Sequence, residues 1–169
     1  MINEKLEKAF NEQINKELYS EYLYLAMKSY FVEQNLQGFV NWFNVQIQEE
    51  HAHAIGMYDY LNERGGSVKL MAIEEPVIEG TCPLTIFEHV LRHEKYVTSR
   101  INALMDVAEE VRDRAAMQFL NWYLKEQVEE EASVGGVLAT LKLIGDDKKA
   151  LLLLDKDLMT RTFVQPVIG

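Results

Sequence analysis

The sequence predicts an all-α protein. Four long amphipathic helices form a bundle, a long crossover joins the second to the third, and a short fifth helix lies at the C-terminus. Three observations carry that prediction. Apolar residues recur at steps of three and four through four long segments. Breaks at Asn35–Gly38, Gly65–Gly66, Pro83 and Gly145 punctuate them. Each stripe is also interrupted near mid-length by glutamate, on the face that packing should bury.

The first helix is expected from about Glu4 to Gln34, with Asn3 as its N-cap. Its stripe is Leu6, Phe10, Gln13, Glu17, Ser20, Tyr24, Met27 and Phe31. After the Asn35–Gly38 break the second helix turns back antiparallel and runs to about Arg64, where Gly65–Gly66 stops it. Here the stripe reads Phe39, Phe43, Gln46, Glu50, His53, Met57 and Tyr60. Residues 66–82 have no helical stripe. A largely extended connection of that length can run back along a helix of about 40 Å. It is expected as a crossover, ordered against the bundle, that sets the third helix parallel to the second. Pro83 suits the first turn of that helix, which continues to about Glu110 through Phe87, Val90, Glu94, Val97, Ile101, Leu104 and Ala108. Asp113 caps the fourth helix, which reaches about Ile144 with the stripe Ala116, Leu120, Tyr123, Gln127, Glu130, Val134, Val137 and Leu141. Asp146 or Asp147 then opens a fifth helix, from about Lys148 to Thr160, followed by an irregular tail.

At 169 residues, with 48% hydrophobic residues and 3 prolines, the chain can bury one sizeable core, so residues 1–169 read as a single domain. Leu151–Leu154 is an apolar run of only four, against the roughly 18 needed to span a bilayer, so no membrane segment is expected. Mixed charge follows Met1 and Ile2, so no secretory leader is read and a cytoplasmic location is expected. The single Cys82 excludes an intrachain disulfide and a cysteine-built zinc or iron–sulfur site, and reads as incidental. With 27 acidic against 17 basic residues the net charge is −10, which argues against nucleic acid as a partner.

A glutamate on its own reads as a surface residue. The coincidence of Glu17, Glu50, Glu94 and Glu130 in four seams, none of which holds Lys or Arg, requires counterions, and metal cations are the natural ones. Glu50-x-x-His53 adds one imidazole on the same helical face. Mostly oxygen with one nitrogen suits Fe, Mn or Zn. The simplest assignment is two ions bridged by Glu50, with Glu17 and His53 completing one site and Glu94 and Glu130 the other. Gln127 would be a weak ligand or hold a metal-bound water. Few strong donors leave coordination positions open, as oxygen-species chemistry needs.

Over essentially its whole length the chain resembles the bacterial non-haem ferritins. The matching motifs are Glu17 with Tyr24, Glu49-Glu50-His51-Ala52-His53, Glu94, and Glu126-Gln127-Val128-Glu129-Glu130-Glu131. The resemblance implies a ferritin-like four-helix bundle and an iron-storage function with ferroxidase activity. Fe2+ would be oxidised by dioxygen or hydrogen peroxide at a di-iron centre, and Fe3+ stored as hydrated oxide in a shell of twenty-four subunits. By motif, Glu17, Glu50 and His53 would hold the first iron and Glu50, Glu94 and Glu130 the second, with Gln127 as the neutral near-ligand. Glu49, Glu126, Glu129 and Glu130 match a third iron site, Tyr24 matches a tyrosine with an electron-donor or radical-limiting role, and the C-terminal helix would line fourfold channels.

Haem is not expected. The symmetrical pattern of bacterioferritins carries a second Glu-x-x-His, where this chain has Gln127-x-x-Glu130, and His51 stands at their haem-binding methionine. One cysteine excludes a rubrerythrin, and the miniferritins lack this ligand set and the fifth helix.

Plainer readings stand beside several of these residues. Glu49, Glu126 and Glu129 also suit a solvated face toward the shell interior. Tyr24 also suits a core aromatic whose hydroxyl finds a carboxylate. Trp122 reads as packing ahead of electron transfer, and Met27 and Met57 as core filling. His51, His89 and His93 lie off the seams and read as ordinary surface or interface residues. Two other functions compete: a cation-buffering structural subunit, against which the full ligand set counts, and a di-metal oxygenase or peroxidase, for which no substrate pocket is legible.

Overall fold

The structure, a computed structural model, describes residues 2–168 and folds them into α1 (Glu4–Glu33), α2 (Gln37–Glu63), α3 (Pro83–Glu110), α4 (Arg114–Ile144) and α5 (Lys148–Leu158). Local chemistry sets most of the boundaries. Asn3 Oδ1 accepts from Lys5 N at 2.9 Å, Asp113 Oδ1 from Ala116 N at 3.0 Å, and Asp147 Oδ1 from Lys149 N at 2.9 Å, each satisfying a free N–H of a first helical turn. Pro83 opens α3 where a missing N–H costs nothing. Asn35 and Gly65 take positive φ, 56° and 70°, and end α1 and α2 by reversing the chain. The fifth helix stops at Leu158, two residues short of the expected Thr160, because Thr160 N bonds to Asp157 O and closes a turn instead.

Residues 64–82 form the crossover, and polar side chains of α1 hold it. Asn11 donates to Ser67 O at 2.9 Å and accepts from Lys69 N at 2.5 Å. Further along, Asn15 donates to Ala72 O at 3.1 Å and Tyr30 to Thr81 O at 3.1 Å. Asn11 and Tyr30 lie about 28 Å apart along α1, so the segment climbs most of the bundle and returns the chain to where α2 began. The third helix therefore starts beside the α1–α2 turn and runs parallel to α2. Most crossover side chains are exposed, so hydrogen bonds from α1 side chains to its backbone, more than apolar burial, order it. Among the described residues no helix is long and apolar enough to cross a membrane.

The apolar stripes meet in two clusters, not one. The first gathers Met27, Phe31, Phe39, Phe43, Phe87 and Leu138 toward the α1–α2 turn. The second gathers Leu6, Phe10, Met57, Ile101, Leu120 and Tyr123 toward the other end. Between them lies a layer of buried polar side chains from all four long helices.

The fifth helix folds over the start of α2. Leu36, the N-cap of α2, offers no side-chain acceptor. Asp155 of α5 supplies one, with Oδ1 accepting from Gly38 N at 2.8 Å and Phe39 N at 3.1 Å. A carboxylate at a helix N-terminus also meets the positive end of the helix dipole, which compensates its burial. The approach is close enough that a Cβ on Gly38 would lie 1.5 Å from Asp155 O. Gly38→Ala should therefore lift α5 off the bundle and lower Tm. Gly136→Ala, exposed in α4 with nothing within 4 Å, should raise Tm through a helix-propensity gain of about 1 kcal/mol. Thermal melts of the two variants side by side check both signs.

Candidate metal centre

Four helices each bring one carboxylate to the polar layer: Glu17 from α1, Glu50 from α2, Glu94 from α3 and Glu130 from α4. With His53 and Gln127 they are between 1% and 4% exposed, so water can satisfy almost none of their polar atoms. Helical spacing puts Glu50 and His53 on one face of α2, and His53 Nδ1 lies 3.7 Å from Glu50 Oε2. That gap is too long for a hydrogen bond and suits two atoms that share a third partner.

Neutral donors from the same stripes aim the carboxylates. Gln13 donates to Glu17 Oε1 at 2.8 Å. Gln46 donates to Glu130 Oε2 at 2.7 Å and Glu50 Oε1 at 3.3 Å. Gln127 donates to Glu94 Oε2 at 3.2 Å, and the Tyr24 hydroxyl donates to Glu94 Oε1. Tyr123 donates to His53 O at 2.9 Å and steadies that turn of α2. Glu17 Oε2 and His53 Nε2 are buried and meet no neutral hydrogen-bonding group, and Glu17 has only the Glu50 carboxyl beside it to share a proton with. Unsatisfied ligand-type atoms in a dry interior fit a cation.

Ligand-type atoms of Glu17, Glu50 and His53 lie within 4.8 Å of one another, and so do those of His53, Glu126 and Glu130. The first trio is one expected set. The second mixes Glu130 with Glu126 of the expected third position, while Glu94 falls in neither group and is bonded to Tyr24 and Gln127. Glu126 is half-buried and Glu129 exposed, as expected of residues flanking a seam. Glu49 is half-buried too, but its Oε2 is taken by Arg161 Nη2 at 2.6 Å.

Electrostatics show the cost of this arrangement. Burial raises the Glu94 carboxyl to about 8, helped by the charges of Glu50 and Glu17. Burial and the Glu94 charge raise Glu130 to about 8. Glu17 and Glu50 are also pushed up, first by burial, and Glu50 further by Glu17 and Glu130. The Tyr24 phenol is raised well above 10 by burial and by Glu94, so it stays protonated and can donate when Glu94 is ionised.

His93 corrects the expectation of an ordinary surface or interface histidine, being buried within the subunit. It sits with Nε2 2.8 Å from Ser20 Oγ and its ring edge-on to Tyr24 at 5.8 Å. Burial, then the His89 and Lys16 charges, lower it to about 4 and keep it neutral. Ser20, a third polar residue in the seam after Gln13 and Glu17, was the available signal. His51 is exposed and bonds Glu21 at 3.1 Å, and His89 is half-buried and accepts from Glu79 N at 3.1 Å. Arg161 was not legible, because it reaches Glu49 from the tail, more than 100 residues away in sequence.

The family model described as ferritin-like domain matches residues 7–144. A bacterial non-heme ferritin of Bacteroides fragilis is 43% identical over 146 residues, covering 86% of this chain and 92% of the relative. One from Staphylococcus aureus is 39% identical over 163 residues, covering 96% and 98%. Among solved structures, an open pore ferritin of the hyperthermophilic archaeon Archaeoglobus fulgidus superposes with a TM-score of 0.93 at 54% identity, covering 95% of this chain and 98% of that one. A humanized archaeal ferritin superposes with a TM-score of 0.95 at 51% identity, covering 97% and 99%.

The raised carboxyls make stability depend on pH in a definite direction. Glu94 and Glu130 hold protons more tightly folded, at about 8, than at their ordinary 4.5. The stability carried by their neutral forms is complete below about 4.5 and lost as pH rises through about 8. Tm of metal-stripped protein should fall between about pH 5 and pH 8.5, and saturating Zn2+ should flatten that slope. Differential scanning calorimetry with and without Zn2+ reads both.

Proposed function

The chain belongs to the ferritin family, and from that premise we propose that it stores iron and oxidises Fe2+ within each subunit on its way into store. The observation that carries the reading is the buried, mutually repelling carboxylate set beside the unpartnered Glu17 Oε2 and His53 Nε2. Four glutamates carry the charge that two divalent cations would neutralise. Arranged around two Fe2+ as substrate, Glu17, Glu50 and His53 hold one ion and Glu50, Glu94 and Glu130 the other, with Glu50 between them. Gln127 orients Glu94 rather than competing for metal.

Carboxylates favour the higher charge, so they lower the Fe3+/Fe2+ potential and assist electron loss. Each Fe2+ gives one electron to the oxidant, dioxygen or hydrogen peroxide. Two ferric ions then exceed the four carboxylates in charge, and the excess favours departure toward Glu126, Glu129 and Glu49, the acidic residues flanking the layer. Hydrolysis of Fe3+ releases protons as mineral forms, and the same acids can accept them. Tyr24, bonded to Glu94, is placed to supply an electron while its proton stays within the hydrogen bond. Haem has no part in this scheme. The wider reading is a single ferritin domain that assembles into a cytoplasmic shell of twenty-four subunits, with α5 at the fourfold channels.

Glu50→Ala removes the shared ligand and leaves the apolar clusters untouched. Rapid Fe2+ oxidation, followed by stopped-flow absorbance after adding two Fe2+ per chain, should be abolished while size-exclusion chromatography still shows an assembled shell. Unchanged initial oxidation would remove the centre. A slow, featureless rise in the parent protein would favour a structural, cation-buffering subunit.

A further inference from the structure

Arg161 lies just beyond α5, and the fold grips it. Asn41 Nδ2 donates to Leu158 O at 3.0 Å and to Arg161 O at 2.9 Å, fixing the backbone on either side of this turn. The guanidinium carbon sits 4.8 Å over the Trp42 ring. Its Nη1 donates to Gln46 Oε1 at 3.0 Å and Trp42 O at 3.3 Å, and its Nη2 to Glu49 Oε2 at 2.6 Å. Both members of the Arg161–Glu49 pair are 21% exposed, so this is a held contact and not a waving surface pair.

The position has two consequences. Glu49 meets a cation already supplied by the protein, so a metal ion binding there must compete with the guanidinium for its charge and, at Oε2, displace it. Gln46 has its Oε1 committed to Arg161, which turns its Nε2 inward to Glu130 and Glu50. One side chain from the tail thus touches both Glu49, one of the flanking acids, and the amide that aims the inner carboxylates.

We propose that Arg161 is a positioning residue: a resident counter-cation for Glu49 that keeps the third metal position weak until an incoming ion displaces it. The proposal rests on the reading of Glu49 as a metal ligand given above. A guanidinium spans Glu49 and Gln46 together, whereas an ammonium group can hold only one of them in that geometry.

Isothermal titration of metal-stripped shells with Zn2+, which undergoes no redox change, tests it. Arg161→Gln should tighten the third, weaker site about tenfold, the effect of losing one partly buried charge-assisted contact. The paired inner sites should keep their stoichiometry. Arg161→Lys should fall between the parent protein and Arg161→Gln, and it retains a positive charge should the glutamine variant assemble poorly. Glu49→Gln should remove the third site in either background. An unchanged or weaker third site in Arg161→Gln, or a third site that survives Glu49→Gln, would overturn the proposal. The two readings separate cleanly: Glu50→Ala should remove the paired sites and leave the Arg161 effect, so empty paired sites in the parent protein count against the inner centre alone.

Discussion

Everything in this bundle answers to one constraint: negative charge is held in a dry layer between two apolar clusters. Each isolated buried carboxylate costs several kcal/mol in lost solvation, and four close together repel one another as well. The fold meets part of that cost with Gln13, Gln46, Gln127 and the Tyr24 hydroxyl, all of which donate inward. Without metal the remainder appears as carboxyls that hold their protons to about 8. The apolar clusters at either end make the layer affordable, since they supply the burial that the middle of the bundle gives up.

The second helix bears most of the positional burden. It carries Glu50 and His53, and its first turn is capped from outside by Asp155. Asn41, Trp42, Gln46 and Glu49 on the same helix bind the turn that follows α5. The C-terminal segment is therefore an external brace on the helix that holds the central ligand. Displacement of α5 would act on the site through α2 even though no residue of α5 reaches the polar layer.

The polar layer also contains residues with no need of a metal to explain them. His93 and Ser20 satisfy one another behind Tyr24, and the neutral imidazole adds no charge to the layer. Trp122 stands edge-on to His53 at 5.6 Å and buttresses its ring. Packing of this kind fixes the rotamers of the carboxylates and imidazole, so the site is arranged before any ligand arrives.

The five helices, to within a residue or two at most ends, the direction of the crossover, and the glutamates that become buried were all legible in the amino-acid order. Those follow from local rules: a period near 3.6, capping side chains next to their helices, and the length that an extended segment can span. It also exposed Glu17, Glu50, Glu94 and Glu130, because charge in an apolar stripe is anomalous wherever the helices end up. Folding was needed to reveal that His93 is buried against Ser20, that Asp155 caps a helix more than 100 residues before it, and that Arg161 bonds Glu49. Each of these joins side chains from separate elements, and no periodicity within one helix encodes where a distant side chain will land. Pairing across elements is set by how whole surfaces pack, so it becomes readable only when the chain has folded.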